Sequence, residues 1–238
     1  MIKAVVIDFD DTLCPTEECG FALENEALRR IGRPPQSREV HKSTWGRELL
    51  EAIAVRSPGV DVAAFRTAVF NLIPEWVAAG KFDVIPADHL EALARLRRNG
   101  YDVYVLTSRA RDELGHLLAP EHDLATHIKA FYYREVVSHP KPDPRAFETL
   151  LNAHSLQRRE CVYVGDSVSD AMAAAGAGMF FIANLESGLR AAEDFAAWQI
   201  DAFVNCFAAV PEAIMKLPAA RRPARLPVRP LIRKQVLA

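Results

Sequence analysis

The chain has 238 residues, 50% hydrophobic and 25% charged, which is enough to bury a sizeable core and excludes wholesale disorder. Twenty-nine Lys and Arg against 31 Asp and Glu give a formal charge of −2, so bulk charge does not hold this protein on nucleic acid or on an anionic membrane. Any substrate selection is therefore local.

The amino terminus opens on Ile2 to Ile7, a run of Ile, Val and Ala ending in Asp8, too short for a helix and too continuous for a half-exposed strand. A buried parallel strand fits. No long apolar region or small-residue cleavage site follows it, so the expectation is a cytoplasmic chain. Pro15 and Thr16 open a helix with Glu17 and Glu18 in its first turn, Arg29 and Arg30 in its last, and Gly32 and Pro34-Pro35 beyond. Those charges complement the helix dipole at both ends. The pattern stays helical to about Phe82, and Pro74 is expected to kink or divide the last helix.

From Val84-Ile85-Pro86 the pattern changes. Asp88 is placed to cap a helix carrying Leu90, Leu93 and Leu96 and closed by Asn99-Gly100. Strands are then expected at Tyr101 to Leu106, Ala130 to Tyr133, Cys161 to Val164 and Met179 to Ala183, with helices at Pro144 to Ala153 and Val168 to Ala177. This alternation predicts an α/β fold, a Rossmann-like doubly wound parallel sheet. The all-helical stretch after the first strand is then an insertion. The expected boundaries are 1–14 and 86–217 for the core, 15–85 for the helical cap and 218–238 for a flexible tail. That tail carries four prolines, six basic residues and no acid. Two readings stay open for it: a solvated arm lying against the acidic body, or an arm for a partner or nucleic acid. The longest nearly unbroken apolar run, Ala171 to Ala183, falls short of the ~18 residues of a spanning helix. Cys14, Cys19, Cys161 and Cys206 are too scattered for a disulfide framework or a zinc pattern.

Three predicted strands end in polar residues that apolar context does not explain: Asp8 to Thr12, Thr107-Ser108-Arg109, and Gly165-Asp166-Ser167. Open parallel sheets bind ligands at such strand ends. Asp8 and Asp10 are two apart and lean the same way on extended backbone, and Asp166 and Asp170 share a face if Asp166 opens a helix. Up to four carboxylates then meet in one cleft. They need a compensating cation, and all-oxygen ligands suit Mg²⁺. Lys141, in Lys-Pro-Asp-Pro, offers an ammonium to a phosphoryl group and to a carboxylate. Thr107, Ser108 and neighbouring backbone N–H groups can hold phosphate oxygens.

Taken together and in order, Asp8-Phe9-Asp10-Asp11-Thr12, Thr107, Lys141 and Gly165-Asp166-Ser167-Val168-Ser169-Asp170 resemble the signatures of the haloacid dehalogenase-like hydrolase superfamily, phosphatase type with a helical cap. The resemblance implies Asp8 as the nucleophile forming an aspartyl-phosphate and Asp10 as the acid and then the base. It implies Mg²⁺ held by Asp8, the Asp10 carbonyl and Asp166, with Asp170 and Thr12 in support, and Thr107 and Lys141 on the phosphoryl group. At Asp11 glycine is commoner in the family, and this side chain is expected to point outward. Family members that dehalogenate lack an aspartate two residues after the nucleophile, so Asp10 implies phosphate chemistry.

Other readings attach to single residues. His41, Lys42 and Arg47 are candidates to overhang the cleft and select substrate, or they form a solvated basic face with Trp45 packed in the cap. Arg109 either contacts substrate or pairs with Asp112 or Glu113. The expected activity is Mg²⁺-dependent hydrolysis of a small phosphorylated metabolite by a monomer or homodimer. Sugar-phosphate mutase or phosphotransferase chemistry is the alternative, ahead of a phosphoryl-accepting or a non-catalytic binding module.

Overall fold

A computed structural model describes residues 1–47 and 49–218. The basic segment from 219 onward, and the two readings attached to it, lie outside the described residues. β1 (Ala4–Ile7) is followed by four helices, α1 (Thr16–Arg30), α2 (Arg38–Lys42), α3 (Leu49–Arg56) and α4 (Val62–Ala78). Then come α5 (Ala87–Arg98), β2 (Asp102–Leu106), β3 (Ala130–Tyr132), α6 (Glu148–Ala153), β4 (Cys161–Gly165), α7 (Val168–Ala177), β5 (Phe180–Asn184), β6 (Ala202–Val204) and α8 (Val210–Met215).

The six strands form one parallel sheet in the order β3-β2-β1-β4-β5-β6. This is the doubly wound Rossmann-like order, with its switch point beside β1. Side chains alternate across the sheet as the period of two demands. Val5, Ile7, Val103, Val105, Val162 and Val164 pack with α5 and α8 on one face. Ala4, Val6, Tyr104, Leu106 and Tyr163 pack with α6 and α7 on the other. Both faces are covered, which is why the strands read as continuous apolar runs. Helices α1, α3 and α4 enclose a separate cluster of Leu23, Leu28, Ile53, Phe65, Val69 and Leu72.

Two local expectations, that Pro74 divides its helix and that Asp88 caps the next, need correction. Pro74 lies inside α4 without dividing it. Proline lacks only its own N–H, so a single bond to the carbonyl four residues back is lost while Phe65, Val69 and Leu72 stay anchored in the cluster. Asp88 is not the cap of α5; Pro86 holds that position and Asp88 stands in the first turn, where a carboxylate still complements the dipole. The short β6 and α8 carry no strong periodic signal, and they complete the sheet edge through pairing with β5. No helix among the described residues is long and apolar enough to cross a membrane.

Candidate active site

The site forms where the carboxyl ends of β1 and β4 lie side by side. The register pairs Ile7 with Val164, and the Asp8 N–H donates to the Val164 carbonyl at 2.9 Å. Asp8 therefore leaves the sheet beside Gly165 and Asp166. Oxygens of Asp8, Asp166 and Asp170 lie within 4.8 Å of one another. Lys141 enters from the loop before α6, whose Lys141–Pro142 peptide is cis. Its ammonium donates to Asp8 Oδ1 at 2.7 Å, Asp170 Oδ1 at 2.8 Å and the Tyr163 hydroxyl at 3.1 Å.

The three acids are not equivalent. Asp170 sits in a capping box at the start of α7: its Oδ2 accepts from Ser167 N and Oγ, and its Oδ1 accepts from Lys141 and from the Tyr163 hydroxyl at 2.8 Å. With both oxygens engaged twice, Asp170 positions Lys141. A Cβ at Gly165 would lie 2.6 Å from the Asp170 carboxyl carbon, so this close approach requires glycine. Asp8 and Asp166 keep free lone pairs; Asp166 accepts from the Thr12 hydroxyl at 3.4 Å. Thr12 is in turn tied down through its carbonyl, which accepts from Asn184 Nδ2 at 3.3 Å.

Electrostatics follow from this crowding. Burial first, and then the Asp170 carboxylate, push Asp8 up to about 8 against the pull of Lys141. Burial, Asp170 and Asp8 push Asp166 up to about 9. Burial opposes the Lys141 charge, but Asp170 and Asp8 outweigh it and hold the ammonium above its usual range. One lysine does not balance three buried carboxylates. The unsatisfied oxygens of Asp8 and Asp166 are hard donors and fit a small divalent cation such as Mg²⁺.

Asp10 stands on the other side of the same loop, partly exposed. Its carboxylate accepts from Arg109 Nε at 3.0 and 3.2 Å and from Nη2 at 2.7 Å. The same guanidinium forks onto Asp83 at 2.5 and 3.0 Å and lies 4.8 Å over the Phe9 ring. Arg109 thus joins Asp10 to the segment leading out of the helical insertion, rather than pairing with Asp112 or Glu113. His116 Nε2 meets Asp83 at 3.0 Å from a third side. Thr107 is buried at the end of β2, and its hydroxyl accepts from the Arg109 N–H at 3.1 Å. Ser108 is exposed and lines the cavity beside Asp10.

Asp11 overturns its expectation. It is buried, with φ 54° in the left-handed region where glycine is at ease. Its carboxylate accepts from the Thr16 and Glu17 N–H groups, both at 2.9 Å, and from the Trp45 indole at 2.6 Å. Aspartate tolerates this backbone better than most residues, and here it binds the start of α1 and the turn after α2. The Trp45 ring lies flush on α1, where a Cβ at Gly20 would come within 2.8 Å of it.

His41 likewise does not overhang the cleft. It is fully buried within the insertion, its ring nitrogens 3.0 Å from Glu17 and 3.3 Å from Glu24. Lys42 is exposed at the end of α2 and does not line the cavity, whereas Arg47 does. The sequence reading passed over Tyr163, Asn184 and Asp83. A tyrosine in an otherwise aliphatic buried strand needs a partner for its hydroxyl, a signal that was legible for Tyr163; Asn184 and Asp83 carry no comparable local signal.

A doubly wound parallel sheet with helices inserted after its first strand, and an acid–lysine cluster at the switch point, defines an enzyme of the α/β class. The chain belongs to the haloacid dehalogenase-like hydrolase family, whose model matches residues 2–178. It is 27% identical over 210 residues to a phosphoglycolate phosphatase of Xylella fastidiosa, covering 85% of this chain and 89% of that one. It is 26% identical over 182 residues to the pyrophosphatase PpaX of Bacillus velezensis, covering 74% and 80%. Among solved structures, CbbY of Rhodobacter sphaeroides in complex with phosphate superposes with a TM-score of 0.70 at 22% identity, over 88% of this chain and 96% of that one. A subfamily IA hydrolase of Geobacter sulfurreducens gives 0.67 at 22%, over 89% and 95%. At these identities the structural likeness is one of fold.

Proposed function

We propose that this hydrolase is a Mg²⁺-dependent phosphomonoesterase acting on a small phosphorylated metabolite through an aspartyl-phosphate on Asp8. The observation that carries the reading is the meeting of Asp8, Asp166 and Asp170 within 4.8 Å with Lys141 at 2.7 Å from Asp8. The phosphatase names of the sequence relatives support it.

In this reading an Asp8 oxygen attacks phosphorus and the bond to the ester oxygen breaks. Asp10 gives its proton to the departing alkoxide, then takes one from the water that attacks the phosphorus of the Asp8 acyl phosphate and frees phosphate. Such proton transfer contributes roughly 10²–10⁴-fold. Lys141, held by Asp170 and Tyr163, aims its charge at Asp8 and the incoming phosphoryl oxygens. Thr107 and Ser108 bind those oxygens from the end of β2. Asp8, the Asp10 carbonyl and Asp166 would hold Mg²⁺, whose charge offsets the anionic groups gathered there. Helices α1 to α4, residues 15–85 by the sequence boundaries, act as a cap that excludes water from the site.

Phosphate release from a panel of monoesters tests this. With Mg²⁺ the protein turns over; chelator or Asp8→Asn removes turnover while the fold persists by circular dichroism. A folded protein that releases no phosphate from any ester overturns the reading.

A further inference from the structure

Arg109 takes no part in the steps above, yet it stands at the centre of a largely buried cluster. The side chains of Arg109 and Asp83 are 14% and 2% exposed, whereas that of Asp10 is 37% exposed and lines the cavity of about 310 Å³ that reaches into the helical insertion. The guanidinium holds the two Asp10 oxygens unequally. Oδ1 accepts from Nε at 3.0 Å and from Nη2 at 2.7 Å, while Oδ2 has only the 3.2 Å contact with Nε and keeps an open lone pair. On its other side the same planar group forks onto Asp83 at 2.5 and 3.0 Å and lies over the Phe9 ring, which leaves it little freedom to turn.

Asp83 is pinned in its turn. Its backbone is left-handed at φ 52°, His116 Nε2 lies 3.0 Å from its carboxylate, and the His116 ring packs on Phe82 with centroids 5.5 Å apart. Burial alone would raise the Asp83 carboxyl, but His116 and Arg109 overcome it and hold it below its ordinary range, so it is a fixed anion. The segment that carries it is fastened to the start of the insertion: Cys14 Sγ donates to the Val84 carbonyl at 3.6 Å and Cys19 Sγ to the Lys81 carbonyl at 3.2 Å. A chain of held groups thus runs from His116 through Asp83 and Arg109 to Asp10 Oδ1. Without it, a partly exposed aspartate samples several rotamers, and proton transfer needs hydrogen-bond distance.

We infer that Arg109 is a positioning residue, anchored by Asp83, that fixes the Asp10 carboxylate for proton transfer. The inference rests on the phosphatase reading above and deepens it. Arg109 forms no bond to the reacting atoms. The proton passes from Oδ2 to the ester oxygen as its bond to phosphorus breaks, and a proton returns to Oδ2 from the water that attacks the Asp8 acyl phosphate.

The test measures kcat/KM with Mg²⁺ for two alkyl esters, ethyl phosphate and phosphoglycolate, and one aryl ester, 4-nitrophenyl phosphate. An alkyl alcohol leaves poorly without a proton, 4-nitrophenolate leaves without one, and kcat/KM reports only the steps through that departure. In Arg109→Gln the alkyl-to-aryl ratio should fall about a hundredfold, the cost of a misplaced general acid. A burst of 4-nitrophenolate should precede its steady release, because hydrolysis of the phosphoenzyme waits on the same carboxylate. Arg109→Lys keeps the charge without the planar fork, and its ratio should fall about tenfold, as should that of Asp83→Asn. Should Arg109→Gln fail to fold with Asp83 left buried and short of a partner, Arg109→Gln combined with Asp83→Asn removes that charge and should show the same hundredfold loss. Equal losses on all three esters, or an unchanged ratio in folded variants, overturn the inference and leave the phosphatase reading standing. Wild type that cleaves the aryl ester alone also overturns it, since there is then no alkoxide protonation to support. A folded wild type that releases phosphate from none of them overturns the phosphatase reading and the inference with it.

Discussion

Asp11 shows how one side chain is set by its surroundings rather than by its charge. Beside three other acids it was expected to face solvent, yet two backbone N–H groups and an indole hold it inside. The two amide donors belong to the first turn of α1, where a carboxylate also meets the positive end of the helix. Burial raises its pKa, but those three donors oppose the rise. Trp45→Phe removes the indole donor together with the distal ring carbons that pack on Gly20. A hydrogen bond to a charged group is worth about 1.5–3 kcal/mol, so urea unfolding should show a loss approaching that size. Unchanged stability would show that the Asp11–Trp45 contact carries no weight. Arg109 was legible as a residue near the phosphate threonine, but not as a bridge, because Asp83 lies 26 positions away in sequence.

At the scale of elements, the helical insertion has an interior of its own chemistry. His41 sits between Glu17 and Glu24, while Arg56 and Arg38 neutralise those same carboxylates at 2.6 and 2.5 Å. This buried network links α1, α2 and α3. Removing one partner of a buried pair leaves an uncompensated charge, at a cost of about 3–5 kcal/mol. Arg56→Ala should therefore lower the thermal midpoint by roughly 6–15 °C by calorimetry; a midpoint within a degree of wild type would contradict a structural role for the network. The helices themselves were readable because their apolar residues recur at helical spacing. What they bury between them was not, since a histidine between two glutamates reads in sequence as three solvated polar residues. The continuity of α4 through Pro74 is the same lesson: local propensity argues for a break, and packing on Phe65, Val69 and Leu72 overrides it.

For the whole molecule, the acidic cluster couples stability to pH and to metal. Asp8 and Asp166 are held well above the ordinary carboxylate range, to about 8 and about 9. In the unfolded chain both ionise near pH 4, so above that the folded state binds more protons and stability falls as pH rises through 8 to 9. With chelator the thermal midpoint should drop across about pH 5 to pH 9, and Mg²⁺ should restore it at the upper end. Asp166→Asn should flatten the chelated profile; a chelated protein whose midpoint rises over that window would contradict the cluster as described. The sequence by itself determined five of the six strands, their parallel arrangement, the candidate acids and lysine at their ends and the family, because buried parallel strands are continuous apolar runs and polar residues at their ends stand out against them. Only the tertiary structure decided the order of the strands in the sheet, that Asp11 turns inward, that Arg109 spans from Asp10 to Asp83, that His41 is buried and that a cavity reaching into the insertion adjoins Asp10. Those outcomes depend on which distant segments meet, and a partner for a buried charge is supplied by proximity in space, which spacing along the chain does not encode.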